Sequence, residues 1–252
     1  MLYIKYNKNR NGGKIMLNIN KVSKSFENNK KVLNNITFDI KCGEIFGFIG
    51  HNGAGKTTLI KAIVGIHDFD EGEILIDSKN IKSDPLACKK KFAYIHDNPD
   101  LYEYLTGLQY LNFIGDIFKV HQAKRQDLIK FYSNRFDLDK DLGNTISSYS
   151  HGMKQKLAII SALIHSPKLL ILDEPFVGLD PKAAFTLKEI MKEFCSVGGS
   201  IFFSTHVLEV AEKICDRIAI IKNGNVIAYG TTDEVIGNSS LENVFMELID
   251  KN

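Results

Sequence analysis

At 252 residues, with 44% hydrophobic and 25% charged residues, the chain is long enough to bury one sizeable core, or a core with a smaller lobe. Its apolar runs, such as residues 157–164, are far shorter than the about 20 residues of a membrane-spanning helix, and no secretory signal pattern opens the chain. A net charge of +2 gives no reason to expect nucleic acid, and four cysteines without C-x-x-C spacing argue against a disulfide framework or a zinc site.

The first fifteen residues are rich in Asn and Gly and carry no acidic residue. We expect residues 1–15 to be a disordered extension or an upstream misassigned start, followed by a single domain over residues 16–252. Beyond them, short apolar segments alternate with polar turns, which is typical of strands. The elements predicted in this part are strands at 17–22, 32–40, 44–49, 73–76 and 91–95, and a helix at 57–64.

From about residue 99 to residue 155 the chain becomes helical and aromatic, and we interpret this part as an inserted lobe. Thr106 and Gln109 form a capping-box pattern that starts a helix. The predicted apolar face of that helix holds Leu108, Leu111, Ile114 and Phe118.

Strands alternate with helices again in the last third of the chain. The pair Asn223-Gly224 predicts a type I′ hairpin, because both central residues of that turn need positive φ. The predicted strands cover residues 169–172, 201–204, 218–221 and 226–229. Two closing helices, the second in a helical tail of about residues 236–252, are predicted from the capping-box pairs Thr231 with Glu234 and Ser239 with Glu242.

The strongest chemical motif is G-x-x-x-x-G-K-[ST], which the chain matches from Gly50 to Thr57 between a predicted strand and a predicted helix. Its glycines let backbone N–H groups curl around phosphate oxygens, and the helix N-terminus adds about half a unit of positive charge. Lys56 is predicted to reach the β- and γ-phosphates, and the Thr57 hydroxyl is predicted to bind Mg²⁺. A glycine-rich turn with a chance Lys-Thr is the alternative.

A second motif is the apolar run at residues 169–172, which suits a strand buried on both faces and ends in Asp173 and Glu174. Ligands of open α/β sheets bind at this edge of the strands. Asp173 is predicted to hold Mg²⁺ through its hydration water, and Glu174 to polarise the water that attacks the γ-phosphate. Taken alone, the pattern is as often structural as functional.

Between these motifs lies Ser147-Ser-Tyr-Ser-His-Gly-Met153, in which Ser150 is placed to cap a helix. Met153, Leu157 and Ile160 follow at helical spacing and would face a core. The helix N-terminus would then point outward at an anion, unless this is a plain capped helix.

With these motifs in this order, the chain resembles the ATP-binding cassette (ABC) family, whose signature is Leu-Ser-Gly-Gly-Gln in type. Ser150 and Gly152 are kept, whereas Tyr149, His151 and Met153 depart from the type. The resemblance implies an α/β fold: a P-loop NTPase (RecA-like) core with an antiparallel β subdomain and an inserted α-helical subdomain.

The resemblance also assigns roles to residues whose own signals are weak. It implies that Phe26 stacks on adenine, that Asp180 lies in the loop after the catalytic glutamate, and that His206 is the switch histidine. The implied catalytic residues are Lys56, Glu174 and His206, and the implied metal ligands are Thr57, Asp173 and Asp97. The implied ATP contacts are Phe26, Gly50, Asn52, Gly53, Ala54, Gly55, Lys56, Thr57, Thr58, Ser150, Gly152 and Asp180.

Asp97 stands where the family usually has a glutamine. Its carboxylate could still reach the metal or its water, but it brings a charge that glutamine lacks. This departure therefore bears on two properties: the affinity for magnesium and the timing of the signal to the membrane partner.

The cofactors implied are ATP and Mg²⁺, bound in a head-to-tail dimer of identical copies or of two related chains. The implied partner is a transmembrane permease on another chain, docked on the helical lobe, which would hold a cytoplasmic ATPase peripherally at the inner face of the membrane. Residues 102–106 and 241–245 most resemble ATPase subunits of exporters (ABC-2-like).

Two other functions stay open. A non-transport ATPase of the translation or DNA-repair type shares these motifs, but such proteins usually carry tandem cassettes or long coiled coils. A regulator that has lost hydrolysis is disfavoured, because Lys56, Asp173, Glu174 and His206 are all present. Cargo cannot be read from this chain, since substrate contacts in such systems lie in the membrane subunits.

Overall fold

The computed structural model describes residues 13–26 and 30–250. The expectation of a disordered or misassigned start therefore falls mostly on residues 1–12, which lie outside the described residues. The first of two sheets contains β1 (Ile15–Phe26), β2 (Lys30–Lys41), β4 (Glu71–Ile76) and β5 (Lys79–Asn80). Its order is β2-β1-β4-β5 and its neighbours pair antiparallel.

The second sheet carries the chemical motifs. It contains β3 (Ile45–Ile49), β6 (Phe92–Ile95), β7 (Leu169–Asp173), β8 (Ser200–Thr205), β9 (Arg217–Lys222) and β10 (Asn225–Thr231). Its order is β10-β9-β3-β8-β7-β6, and all neighbours are parallel except the β9–β10 hairpin. The ends of β3, β7 and β8 consequently meet at one edge of the sheet.

Helices connect these strands. They are α1 (Lys56–Ile63), α2 (Pro85–Lys89), α3 (Gly107–Ile117), α4 (Gln122–Arg135), α5 (His151–Ile164), α6 (Pro181–Ser196), α7 (Leu208–Ile214), α8 (Thr232–Ile236) and α9 (Leu241–Asp250). A parallel sheet with flanking helices, an antiparallel sheet, and α3 and α4 inserted between β6 and β7 match the predicted fold class. Strand β5, with two residues, and helix α2, with five, were not predicted, because elements this short give no periodic signal.

The Thr106 capping box is present, and the predicted apolar face of α3 is correct at Leu111 and Ile114 but wrong at Leu108 and Phe118. The buried residues of α3 are Gly107, Tyr110, Leu111 and Gly115, whereas Leu108 is 44% exposed and Phe118 is 37% exposed. Two glycines determine which face of α3 is buried, because neighbouring side chains pack where a Cβ would stand. These are the Tyr149 hydroxyl at Gly107 and the Arg125 guanidinium at Gly115.

The Thr231–Glu234 capping box is confirmed at α8. The box predicted at Ser239 and Glu242 is wrong by one residue, because the Ser240 hydroxyl accepts from the N–H of Asn243 at 3.3 Å. The fully buried Leu241 opens α9, and its N–H donates to Glu212 on α7 at 2.8 Å. Packing of Leu241 therefore sets where α9 begins.

The parallel sheet separates two hydrophobic cores. Along β7, Leu169 and Ile171 belong to the core shared with α1 and the antiparallel sheet, while Leu170 and Leu172 belong to the core shared with α5 and α6. This alternation follows from the two-residue period of a strand. It places Asp173, next in the alternation, on the same face as Ile171 and the P-loop helix α1.

The hairpin at Asn223 and Gly224 is confirmed, with φ of 47° and 75°. Its turn contacts the P-loop, because the N–H of Gly224 donates to the carbonyl of Ala54 at 3.0 Å. The carbonyl of Gly224 accepts from the N–H of Asn34 at 2.8 Å. A Cβ on Gly224 would stand 2.3 Å from the carbonyl oxygen of Val32, so the close approach requires glycine.

Asp77, directly after β4, binds lysines from three segments of the chain, two of which directly precede the parallel strands β6 and β7. Its carboxylate lies 2.6 Å from Nζ of Lys14, 3.1 Å from Lys91 and 3.5 Å from Lys168. Burial alone would raise the pKa of Asp77, but the hydrogen bonds from Lys14 and Lys91 and the charge of Lys168 outweigh it and lower the pKa to about 2.

The four cysteines are free thiols, as predicted. Among residues 13–26 and 30–250, none of the helices has the length and apolar character that crossing a bilayer requires.

Candidate active site

The P-loop fills the connection between β3 and α1. Gly55 precedes the helix with φ of 113°, a conformation that glycine adopts readily, and the chain turns there directly into Lys56. The loop wraps around the ammonium group of Lys56, which donates to the carbonyls of Gly50 at 2.7 Å and His51 at 3.4 Å. The predicted contacts Asn52, Gly53, Ala54 and Thr58 all lie in this loop or in the first turn of α1.

The three predicted catalytic side chains meet at Glu174. Its Oε1 lies 3.4 Å from Nζ of Lys56 and 3.0 Å from Nδ1 of His206. Glu174 adopts a φ of 48° as β7 ends, which turns its side chain toward the P-loop and β8. Because Lys56 is 6% exposed and Glu174 is 14% exposed, the charges interact in a partly desolvated setting at the sheet edge.

Ser204 binds both acidic residues of the second motif, although no sequence motif singled it out. Its hydroxyl donates to Oδ1 of Asp173 and accepts from the N–H of Glu174 at 3.2 Å. Asp173 is 1% exposed. The available signal was local: Ser204 stands two residues before His206, at the end of a buried strand that was itself predicted.

Asp173 retains one oxygen suited to a metal. Its Oδ2 is buried and has no hydrogen-bond partner among the described residues. A buried carboxylate oxygen of this kind is satisfied by a hard cation such as Mg²⁺ or by the water bound to it. Within the described ranges, no group of three or more His, Cys, Asp or Glu residues could hold a metal ion, so remaining ligands would come from Thr57, phosphate and water.

The carboxylate of Asp97 contacts its neighbours in the chain rather than Asp173. Its carboxylate accepts from the N–H of Asn98 at 2.8 Å and contacts the ring of His96. The side chain is 49% exposed, in the loop after β6. Its role as a metal ligand therefore remains a prediction, which requires the carboxylate to leave these local contacts.

The signature segment forms a second cluster, at the N-terminus of α5. Ser150 caps α5 by accepting from the N–H of Met153 at 3.3 Å, and Leu157 and Ile160 are fully buried, as predicted. Gly152 packs against the carbonyl of Gly178, near which Asp180 caps α6 by accepting from the N–H of Ala183 at 2.8 Å. Ser150, Gly152 and Asp180 thus belong to neighbouring segments.

Phe26 ends β1 with its ring 44% exposed and edge-on to His67 at 5.9 Å. The strand β2, which pairs with this end of β1, also adjoins the P-loop: a Cβ on Gly55 would stand 3.0 Å from the carbonyl of Val32. The hairpin that carries Phe26 is consequently attached beside the P-loop.

The site combines a P-loop that opens a helix with two carboxylates at the end of β7, in the same sheet, and a histidine directly after β8, the strand between β3 and β7. This combination defines a P-loop ATPase. The family model described as "ABC transporter" matches residues 33–177. The chain belongs to the ABC transporter family, as an ATP-hydrolysing subunit, and the resemblance drawn from its motifs is confirmed.

Individual comparisons agree with this assignment. The ABC-type transporter ATP-binding protein EcsA of Bacillus subtilis (strain 168) is 36% identical over 222 residues, which cover 86% of this chain and 90% of EcsA. A solved structure described as the ATP-binding subunit of an ABC transporter is 36% identical, with a TM-score of 0.89 over 92% of this chain and 99% of its own. The structure of cbiO1 from Clostridium perfringens, described as part of the ABC transporter complex cbiONQ, is 26% identical with a TM-score of 0.77, covering 89% of this chain and 92% of cbiO1.

Proposed function

We propose that the chain hydrolyses MgATP as a head-to-tail dimer and drives a transmembrane permease that is a separate chain. The convergence of Lys56 and His206 on Oε1 of Glu174 carries this proposal. A carboxylate held between a cation and an imidazole can orient a water molecule for in-line attack, which is the main task in phosphoryl transfer. Lys56 neutralises phosphate charge, and His206 holds Glu174 in place.

The residues around Asp173 fit magnesium, which would offset the negative charge of the phosphates. Asp173 would bind through its free oxygen or through metal-bound water, and Thr57 through its hydroxyl. Asp97 would reach the same hydration shell from the loop after β6.

The exposed N-terminus of α5 supports the dimer. Ser150 and His151 are both exposed, although α5 is otherwise largely buried. A capped helix N-terminus that faces solvent is suited to an anion, and in a head-to-tail dimer that anion is the γ-phosphate on the other subunit. A dimer of identical copies and a dimer of two related chains would both have this geometry.

The helical lobe, about residues 99–155, is the proposed docking surface for the permease. Exposed aromatic side chains lie together there: the ring of Tyr102 is 6.0 Å from that of Tyr104 and 5.6 Å from that of Phe113. Aromatic residues of this kind anchor protein interfaces. The partner role of cbiO1 within a transporter complex also supports a separate permease. Such attachment would place the chain peripherally at the cytoplasmic face, and we propose export as the direction from the resemblance to exporter ATPases.

The substitution Glu174→Gln tests this function. It keeps the shape of the side chain but removes its charge, so ATP should still bind while turnover falls at least about 100-fold. Static light scattering with MgATP should then detect a dimer in the variant and a monomer in the native chain, which hydrolyses its ATP. Glu242→Gln, at an exposed position of α9, is the matched control and should behave as the native chain.

If Glu174→Gln binds ATP but stays monomeric, the head-to-tail dimer is wrong for the isolated chain. If it turns over ATP at the native rate, Glu174 does not orient the attacking water. A native chain without ATPase activity, together with a variant that stays monomeric with ATP, would instead favour a regulatory ATPase or one that needs its permease for activity.

A further inference from the structure

We propose that Lys156 is a positioning residue for ATP hydrolysis. Together with the first turn of α5, it fixes the loop of residues 175–180, which follows Glu174, to the signature helix of the same subunit. The inference rests on the proposed head-to-tail dimer, in which both segments of one subunit face the ATP of the other.

The end of the 175–180 loop is held by an ion pair. Nζ of Lys156 lies 2.8 Å from Oδ2 of Asp180, and the side chain of Lys156 is 14% exposed. The hydrogen bond from Lys156, followed by that from the N–H of Ala183, holds the pKa of Asp180 below its usual range. Because Ala183 uses the other oxygen, Oδ1, one carboxylate caps α6 and binds α5 at the same time.

The middle of the loop is held by close packing. A Cβ on Gly152 would stand 2.8 Å from the carbonyl oxygen of Gly178, and a Cβ on Gly178 would stand 2.3 Å from Cδ2 of His151. Gly178 has a φ of 79°, so glycine is required there for conformation as well as for space. His151, where the family type has glycine, therefore packs its ring on the loop.

The start of the loop is also attached to α5. Nε2 of Gln155, which is fully buried, lies 3.4 Å from the carbonyl oxygen of Pro175. The loop is thus bound to one helix at its beginning, middle and end, by Gln155, by Gly152 with His151, and by Lys156.

This attachment makes the signature N-terminus and the 175–180 loop one unit. When two subunits close on ATP, the N-terminus of α5 and the 175–180 loop therefore keep a fixed position relative to each other. Glu174, which directly precedes the loop, is positioned together with them. Lys156 holds the far end of the loop, where the side chain of Asp180 is half-exposed. Loss of the ion pair should let the loop depart from the position that hydrolysis needs.

The test compares Lys156→Gln, Lys156→Arg and Asp180→Asn. Asparagine is as good an N-cap as aspartate, so Asp180→Asn keeps the cap of α6 and removes the charge that Lys156 binds. Lys154→Gln is the matched control, because Lys154 lies on the same helix and pairs with Glu103, outside the loop. Each variant is made in the native chain and in Glu174→Gln.

We expect Lys156→Gln and Asp180→Asn each to lower kcat on the order of tenfold, with the KM for ATP nearly unchanged. The double variant should be no worse than either single one, since both remove the same interaction. Lys156→Arg should restore kcat, and Lys154→Gln should leave it unchanged. In the Glu174→Gln background, Lys156→Gln should raise the MgATP concentration needed for the dimer by a similar factor.

Amide hydrogen exchange of the isolated subunit without ATP separates this inference from the proposed function. Lys156→Gln should speed exchange at Val177 and Leu179, whose N–H groups donate to the carbonyls of Glu174 and Phe176, and Lys154→Gln should not. Native exchange and native kcat in Lys156→Gln would overturn the inference. A Glu174→Gln parent that never dimerises would instead overturn the proposed dimer before Lys156 is changed, and the exchange result would still decide whether Lys156 holds the loop.

Discussion

The hydroxyl of Ser204 on β8 donates a 2.5 Å hydrogen bond to Oδ1 of Asp173 on β7. The same hydroxyl accepts from the backbone N–H of Glu174, so one side chain binds the carboxylate of Asp173 and the backbone of Glu174. Because the donor lies on the neighbouring strand, the position of the Asp173 carboxylate depends on the pairing of β7 with β8.

Substitution of Ser204 by alanine should reduce both stability and activity. Asp173 would lose its donor while remaining buried, at a cost of about 1–3 kcal/mol. We expect a lower kcat and a higher magnesium requirement, measured by ATPase assays over a range of Mg²⁺ concentrations. Ser200→Ala is the control: its hydroxyl donates to the carbonyl of Lys41 at 3.0 Å at the other end of β8. Equal losses of activity in the two variants would contradict the assigned role.

Substitution of His206 by alanine should act on kcat. The imidazole lies 3.0 Å from Glu174 but belongs to no part of the P-loop. Turnover should therefore fall on the order of 100-fold, with a nearly native KM and melting temperature. His121→Ala, at an exposed position where the side chain makes no cap hydrogen bond to α4, should leave turnover unchanged. A change confined to KM would show that His206 contacts nucleotide rather than Glu174.

Substitution of Phe26 by alanine should act on KM. Loss of one base–aromatic stack is expected to weaken ATP binding about tenfold, and the catalytic side chains are untouched, so kcat should stay near native. Phe26→Tyr should retain affinity. Phe131→Ala, which removes a ring of similar exposure on α4, is the control in nucleotide titrations. Native affinity in Phe26→Ala would place the adenine elsewhere.

Substitution of Asp77 by asparagine should make the free energy of unfolding less dependent on pH in the acidic range. The folded pKa of Asp77, about 2, lies below the unfolded value, so the stabilisation is complete above about pH 4 and is lost as pH falls toward 2. Asparagine tolerates the φ of 48° at this position, so the variant removes mainly the charge. Urea unfolding should show a deficit of about 2 kcal/mol at pH 7 that shrinks below pH 4. A deficit that does not change with pH would assign the loss to packing.

The elements that sequence predicted well are those whose signals are local. The strand before Gly50, the apolar run before Asp173 and the turn at Gly224 are each specified by a few adjacent residues, and the structure contains all three. The caps at Thr106, Ser150 and Thr231 are equally local.

The features that were missed depend on distant neighbours. The rotation of α3 is set by Tyr149 and Arg125 packing on its glycines, and the start of α9 is set by the burial of Leu241. Likewise, nothing near Ser204 or Lys156 in sequence reveals their partners Asp173 and Asp180, because these contacts arise only when strands and helices assemble. The resemblance singled out position 97 as a departure, but the local hydrogen bond from the N–H of Asn98 to Asp97 could not be read from the motif.

The hairpin at Gly224 also determines how the chain can be divided. Its bond to Ala54 braces the phosphate-binding loop from a point more than a hundred residues downstream, so a fragment ending near residue 177 would contain every residue of that loop and still lack its support. Circular permutation or epitope insertion at this turn would disturb nucleotide binding, although the turn lies in neither sequence motif.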